Sequence, residues 1–480
     1  MAALLSAIRR DLDAVIAPEL ALPAAREAAA MMSELLAYLT VWQRDLPGQV
    51  EPLTRAQAEA LARLRGPESA MPAATGDAAL TSDIAGSLPD YEGLLRALDA
   101  ELAALDGDGG RETAISQAVG ADLLLFDREA SLLGSERERA PIRLAESLTP
   151  LSETRLTAYA REVFPADAGA SVSRIRAVPR GHCRETSQIL LTSGIGRGRE
   201  MLLRRDYPFT PPGMSVSGEF AVLRILHQAG FPVLEPLWCE TEAAPLGQPF
   251  MLSAALPPGA DSRWSESDDD DSRAEACLAL ARILGRLHSL DARVVAAAGF
   301  TPADDPRREI RAAVETWRDR WLALRTHPSP TLQAAFLWLL DHTPPGAART
   351  SLLHGDLSAG SLAVDGTRIA ALLDWEFAHP GDPAEDLAAC RPWVEPLVAW
   401  PEFLRAYRSA GGQDPDPASS AYYAIWRGVR NAVCCCIAWR GFTSGAYPAL
   451  DMAYRGIPLY RRHVRDTAER LRREWARQDT

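Results

Sequence analysis

The stretch LLHGDLSAGSLAV, residues 352–364, decides how the rest of the chain is read. A short apolar run enters His354-Gly355-Asp356, a small and polar irregular segment follows, and a second apolar run closes it. Eighteen residues beyond Asp356, LLDWE sets Asp374 after an apolar pair and before Trp375-Glu376. Each carboxylate stands where a strand would hand over to a loop. A lone His-Gly-Asp is an ordinary turn. Two acids placed this way ask for a chemistry that needs both.

Upstream, from about residue 170, the texture is strand-like. VSRIRAV, SQILLTS and EMLLRRD are short strand-like runs separated by PRGHCRET and GIGRGR, the second a good hairpin turn. SVSGEFAVLRILHQAG reads as a helix with Ser215 or Ser217 available as its cap, and VLEPLWCET and QPFMLSAAL as two more strands. The order is β-β-β-α-β-β. From about 272 the periodicity predicts helices over 273–289, 307–325, 331–341, 384–390, 401–409, 419–440 and 457–477, interrupted by one short pair of strands that carries the opening motif. In GDPAED, Asp382 reads as a helix cap with Pro383 in the first turn. The acidic run 261–272 reads as a solvated loop or helix start.

Residues 1–140 read as helical, through LLSAIRRDLDAVIA, AREAAAMMSELLAYLTVW and YEGLLRALDAELAALDGDGG, with a Pro/Gly-rich interruption at 66–90. This segment is a candidate packing or dimerisation module. The division expected along the chain is a helical domain over 1–140, a linker over 141–170, a five-stranded lobe over 171–256 and a mostly helical lobe over 257–480.

Composition bounds the partners. The chain has 480 residues, too many for one core, with 47% hydrophobic and 24% charged residues and a net charge of −13. That charge argues against duplex nucleic acid as a partner. No apolar run approaches the ~18 residues of a membrane span, and the N-terminal residues do not read as a signal peptide. Seven cysteines without a CxxC pair argue against a zinc site or a disulfide framework and fit a reducing cytoplasm. The 51 basic residues are all Arg, so no lysine nucleophile or Schiff base exists anywhere in the chain.

Phosphoryl transfer needs acids in two such places. One Asp accepts or orients the proton of the attacking hydroxyl; a second holds Mg²⁺ against the phosphates. Asp356 and Asp374 suit these tasks. In the kinase pattern a metal-binding Asn follows the catalytic Asp by five residues, and here that position is Ser361. A Ser hydroxyl is a shorter, neutral oxygen ligand. Arg204 and Arg205 are neighbours on a strand, so only one can face the nucleotide.

LLHGDLSAGSLAVDGTRIAALLDWEFAHPGDPAEDLA resembles the aminoglycoside phosphotransferase family of the protein-kinase-like fold, and is most similar to the branch often found beside acyl-CoA dehydrogenases. RGHCRET resembles its small nucleotide-loop motif, EMLLRR its third strand, GEFAVLRILHQAGFPVLEPLW its paired helix, and ILGRLHSLD its second-lobe helix. The likeness covers about 170–475. It implies an α+β class: a two-lobed protein-kinase-like fold, with the all-helical N-terminal domain as an addition. It implies Asp356 as catalytic base with His354 supporting its loop. It implies Asp374 as Mg²⁺ ligand, with Ser361 in the Asn position and Glu376 close to the metal. Arg204 stands in for the third-strand Lys and Glu219 for its helix partner. Gly181 and His182 fall in the nucleotide loop, and Met251, Ser253 and Ala255 in the hinge that takes the adenine.

The cofactors so implied are ATP, or another nucleoside triphosphate, and Mg²⁺. The acceptor is a hydroxyl of a small molecule, with a hydroxyacyl-CoA-type metabolite favoured by the branch. An aminoglycoside or macrolide antibiotic is the alternative. An impaired nucleotide-binding or scaffolding protein is the rival from another class, with Ser361 and the missing Lys as its evidence. Trp317, Trp321, Trp393 and Trp426 are candidates for an acceptor pocket or for plain core. Cys434-Cys435-Cys436 reads as core, and the Arg-rich last helix as a solvated face.

Overall fold

The computed structural model describes residues 151–478 apart from 164–168, 179–183, 193–197, 207–212, 244, 258–259, 261–268, 301–304, 326–328, 347–349 and 444–449. Of residues 1–150 it describes 9, 29–37, 97, 116, 119–120 and 122–123. The helical domain expected over 1–140 therefore lies almost wholly outside the described residues. The chain forms two compact units: residues 145–310 with 344–424, and residues 1–144 with 311–343 and 425–480.

The first unit holds both candidate carboxylates. It opens with α1 (Glu153–Val163), a helix inside the stretch expected to be linker. Leu156 and Ala160 of α1 are buried against the sheet, while Tyr159 donates to Glu240 at 2.6 Å and accepts from the Trp238 indole at 3.0 Å. The linker expectation rested on 141–170 as a whole; the spacing of Leu156, Tyr159 and Ala160 forms a helix face at 3.6 residues per turn.

Five strands follow: β1 (Val172–Ala177), β2 (Arg184–Leu191), β3 (Arg199–Asp206), β4 (Pro236–Glu240) and β5 (Phe250–Ala254). They make one antiparallel sheet in the order β1-β2-β3-β5-β4, with α2 (Val216–Gln228) between β3 and β4 in sequence. This is the order of elements expected from the periodicity. Ser215, of the two serines offered, caps α2, accepting from the Gly218 amide at 3.4 Å. Alternation sorts the side chains. Met201, Leu203, Phe250 and Leu252 enter the core beneath α1. Met251 enters the other core, with Val222 and Leu226 of α2.

That second core continues through α3 (Asp270–His288), where Leu280, Leu284 and Leu287 are buried. After α4 (Ala292–Ala297) the chain enters α5 (Pro306–Leu324) and α6 (Pro330–Asp341). It then forms β6 (Ser351–Leu353), a short 3-10 turn (Ala359–Ser361), β7 (Leu362–Asp365), β8 (Arg368–Leu372) and β9 (His379–Gly381). Here the expectation of one strand pair is corrected to two: β7 pairs with β8, and β6 pairs with β9. β9 is His-Pro-Gly, which carries none of the β-branched or aromatic signal of a strand and is held only by pairing with β6. The Asp382 carboxylate accepts from the Ala384 amide at 2.9 Å at the start of α7 (Ala384–Val394), as its reading as a cap requires. α8 (Trp400–Ser409) packs on α3.

In the second unit, α6 packs against α11 (Tyr460–Gln478), the last helix after α9 (Pro417–Thr443) and α10 (Leu450–Tyr454). Trp321 stacks obliquely on Phe336 at 5.6 Å, and Trp317 meets Trp426 edge-on at 6.1 Å. Of the cysteine run expected to be core, Cys435 and Cys436 are buried and Cys434 is half-buried. Among the described residues no helix is long and apolar enough to cross a membrane.

Candidate active site

The two arginines of β3 are sent to opposite faces of the sheet. Arg205 pairs in register with Phe250 and Glu185 and is buried on the α1 side, its Nε 2.7 Å from Glu185 and its Nη1 donating to the Leu246 carbonyl at 2.6 Å. Arg204 pairs in register with Met251 and points the other way. Its Nη1 donates to Glu219, its Nη2 to Glu376 at 3.3 Å, and the same nitrogen lies 3.6 Å from Asp374. Arg204 is thus the arginine of the pair that reaches the sequence-marked acids.

Glu219 is fully buried in the first turn of α2. It is shared by a second guanidinium, Arg184 at the start of β2. Arg184 also donates to Asp206 at 2.8 Å and to the Met214 carbonyl, while Asp206 accepts from the Val216 amide at 3.1 Å. These bonds fasten the N-terminus of α2 to β2 and β3, which fixes where Glu219 and hence Arg204 stand. A further tie joins the helix start to the second acid loop: the Met214 amide donates to the Glu376 carbonyl at 2.7 Å. Burial alone would raise the Glu376 carboxyl, but the charges of Arg204 and Arg184 hold it below the usual carboxylate range.

The loop bearing Asp356 is held mainly by its backbone. The His354 and Gly355 amides both donate to Asp386, at 2.8 and 2.9 Å. Gly355 has φ 79°, and a Cβ there would overlap the Phe377 carbonyl, so glycine is required. His354 is buried; its Nε2 donates to the Leu373 carbonyl at 2.8 Å and its Nδ1 accepts from the Asp356 amide at 3.3 Å. That pattern specifies the Nε2–H tautomer and makes His354 a support for the loop. Leu373 is the hub: its carbonyl receives His354, and its amide donates to the Ser361 carbonyl at 2.8 Å. The neighbouring Asp374 has φ 63°, uncommon for a residue with a side chain, and its carboxylate is 44% exposed. The two acid loops are therefore one bonded unit, with Asp356 half-buried and Asp374 open.

Asp386 lies beneath this unit, fully buried. Its Oδ2 meets His288 Nε2 at 3.2 Å, and His288 Nδ1 meets the Tyr407 hydroxyl at 3.0 Å. Burial would raise the Asp386 carboxyl; the bond from His288 and the charges of His288 and His354 bring it instead to about 2.

Three sequence readings change in detail. Ser361 is buried with its hydroxyl turned into its own loop, accepting from the Ser358 amide at 3.2 Å and lying 3.1 Å from the Ser358 hydroxyl. Glu376 accepts from Arg204 Nη2 at 3.3 Å, within reach of the same guanidinium that approaches Asp374. Met251 and Ser253 sit mid-strand between β3 and β4, so the ladder takes their backbone groups. The amides of Ala254 and Ala255 go to the carbonyls of Glu235 and Glu200. A central strand has no main-chain edge to offer an adenine; Met251 can reach the cleft side only through its side chain. Gly181 and His182 lie outside the described residues. Sequence reasoning missed Arg184 and Asp386. Neither carries a local signal beyond its charge, since each acquires its partners only through tertiary packing.

The donor set fits Mg²⁺ in one respect. Mg²⁺ is commonly held by one or two carboxylates, with the substrate phosphates and water completing its shell. Asp374 is such a carboxylate. Among the described residues two guanidiniums, Arg184 and Arg204, face Asp206, Glu219, Asp374 and Glu376. That surplus of negative charge would repel a triphosphate unless a cation came with it.

The five-stranded sheet with its helix and the bonded pair of Asp-bearing loops form the kinase-like arrangement that the sequence resemblance implied. Residues 174–423, more than half of the chain, match the phosphotransferase enzyme family (APH), and the chain belongs to that family. It is 30% identical over 216 residues to acyl-CoA dehydrogenase family member 10 of Mus musculus, covering 44% of this chain and 20% of that protein. It is 28% identical over 212 residues to acyl-CoA dehydrogenase family member 11 of Gallus gallus, covering 43% of this chain and 26% of that protein. The chain thus spans about a fifth to a quarter of the length of those relatives. A putative aminoglycoside phosphotransferase of Ralstonia eutropha superposes on 68% of this chain and 99% of its own, with a TM-score of 0.52 and 18% identity, a likeness of fold.

Proposed function

We propose that this phosphotransferase moves the γ-phosphoryl group of ATP to a hydroxyl of a small molecule, with Asp356 as the base. The observation that carries the reading is the joint placement of three groups. Arg204 is fixed by buried Glu219 and lies 3.6 Å from Asp374, while Leu373 bonds the Asp374 loop to the Asp356 loop. Asp356 accepts the proton of the acceptor hydroxyl as its oxygen bonds to the γ-phosphorus and the bond to the ADP oxygen breaks. Arg204 faces the phosphates with a planar fork of donors. Mg²⁺, held by Asp374, supplies charge neutralisation at the phosphates when bound. His354 and Asp386 keep the Asp356 loop in place.

The acceptor we favour is a hydroxyacyl thioester of the coenzyme A type, on the strength of the similarity to proteins named as acyl-CoA dehydrogenase family members. The inward-turned Ser361 hydroxyl favours a second reading, a protein that binds nucleotide and turns over weakly. A thermal-shift titration with ATP, with and without Mg²⁺, tests the shared premise. A ligand of the native state stabilises it by about 2.7 kcal/mol at a hundredfold excess over Kd. A Mg²⁺-dependent rise in melting temperature is expected. No rise at millimolar ATP and Mg²⁺ would sink both readings. A rise without phosphoryl transfer to any thioester or antibiotic hydroxyl would leave only the second.

A further inference from the structure

A cavity of about 250 Å³ opens among the end of α3, Pro345, Gly346 and Ser351, the start of α7, and residues 411–416 with the first turn of α9. None of Arg204, Glu219, Asp356 and Asp374 lines it. Its polar wall includes His288, Tyr407, Asp382, Asp414, Asp416 and Ser419. Most of these groups are satisfied within the protein. Asp414 is held by Arg408 Nη1, 2.7 Å from each carboxylate oxygen. Asp416 accepts from the Ser419 amide at 3.1 Å.

Asp382 differs. It is 9% exposed, its Oδ1 accepts from the Ala384 amide at 2.9 Å, and its Oδ2 has no hydrogen-bond partner among the described residues. Burial pushes its carboxyl up, and Glu385 and Asp416 add to the effect, although the Ala384 amide and His288 oppose it. A carboxylate buried without a cationic partner is costly, and a cation in the cavity would relieve that cost.

We propose that this cavity is a binding site for a small organic cation, with its ammonium group seated between Asp382 and Asp416. Among the described residues no group of three His, Cys, Asp or Glu side chains is disposed to hold a metal ion. An ammonium group needs fewer and less exactingly placed acceptors. The volume lies just under the ~300–1,000 Å³ of pockets for drug-sized ligands, which limits the occupant to a small amine. The wall also reaches the catalytic loop. His288 and Tyr407 line the cavity, His288 bonds Asp386, and Asp386 holds the His354 and Gly355 amides. A cation bound here therefore acts on the loop that carries Asp356, as an effector distinct from the phosphoryl acceptor.

The probe is putrescine added to the full chain, with 1,4-butanediol and sodium chloride of equal ionic strength as controls, read by thermal shift. The expected result is a rise of a few degrees with putrescine alone. The rise should vanish in Asp382→Asn, which keeps the helix cap but removes the charge, and persist in Asp356→Ala. Asp416→Asn is the second variant, expected to weaken the response severalfold, and it decides the matter if Asp382→Asn does not fold. No rise in the wild type would overturn the proposal. So would a rise retained in the Asp variants, or one lost in Asp356→Ala.

Discussion

Arg204 and Arg205 are neighbours in the chain and opposites in the fold. Both are buried and both are ion-paired. Arg205 is matched: among the described residues one carboxylate, Glu185, and the Leu246 carbonyl hold it on the α1 side. Arg204 is outnumbered: Glu219, Glu376 and Asp374 all approach it, and Glu219 is shared with Arg184. A matched pair holds a structure together. An unmatched one leaves charge to be completed by something that arrives, which is what a nucleotide site with a divalent cation requires. In the proposed reading, the same pleat that separates the two side chains separates a structural task from a chemical one.

The sharpest way to break this comparison is to remove the acids. Glu219→Gln leaves two buried guanidiniums short of a partner and should cost about 3–5 kcal/mol in urea unfolding. Glu185→Gln leaves one, still bonded to Leu246, and should cost about 1–3 kcal/mol. Equal losses would mean that Glu219 serves only Arg204. Acid extends the comparison to the carboxylate beneath the cleft. Asp386 has a folded pKa of about 2, below its unfolded value, so its contribution is present above about pH 4 and is lost as pH falls from there towards 2. That contribution is about 2 kcal/mol, and Asp386→Asn should flatten the fall in stability measured by urea melts between pH 5 and pH 2. A parallel fall in variant and wild type would show that Asp386 is not held low. The smallest effect separates the arginines themselves. Arg204→Lys keeps the charge but loses the planar fork, and loss of one charged hydrogen bond should weaken ATP binding roughly tenfold by calorimetry. Arg205→Lys should leave ATP affinity unchanged while lowering stability.

Much of this site was legible in the sequence because its parts obey local rules. Asp356 and Asp374 follow short apolar runs. Arg204 and Arg205 had to part company on a strand, and the absence of Lys left an arginine for the third-strand position. Ser215 and Ser217 both marked the start of α2, and the structure uses Ser215. What stayed hidden depends on contacts distant in sequence. Nothing near Arg184 says that it will share Glu219, and nothing near Asp386 says that it will collect the His354 and Gly355 amides. β9 is His-Pro-Gly, unreadable as a strand until β6 lies beside it. The place of Met251 and Ser253 turned on strand order: β5 lies inside the sheet, between β3 and β4, where its main chain is already paired.

The most direct measurement follows the γ-phosphoryl group itself. Release or transfer of labelled phosphate from ATP in the presence of Mg²⁺ would be compared between the wild type and Asp356→Ala, with ATP binding measured on both. A base contributes about 10²–10⁴-fold, so the variant should bind ATP as before and lose activity by that factor. Equal rates in the two proteins would contradict the assignment of Asp356 and with it the account of the site.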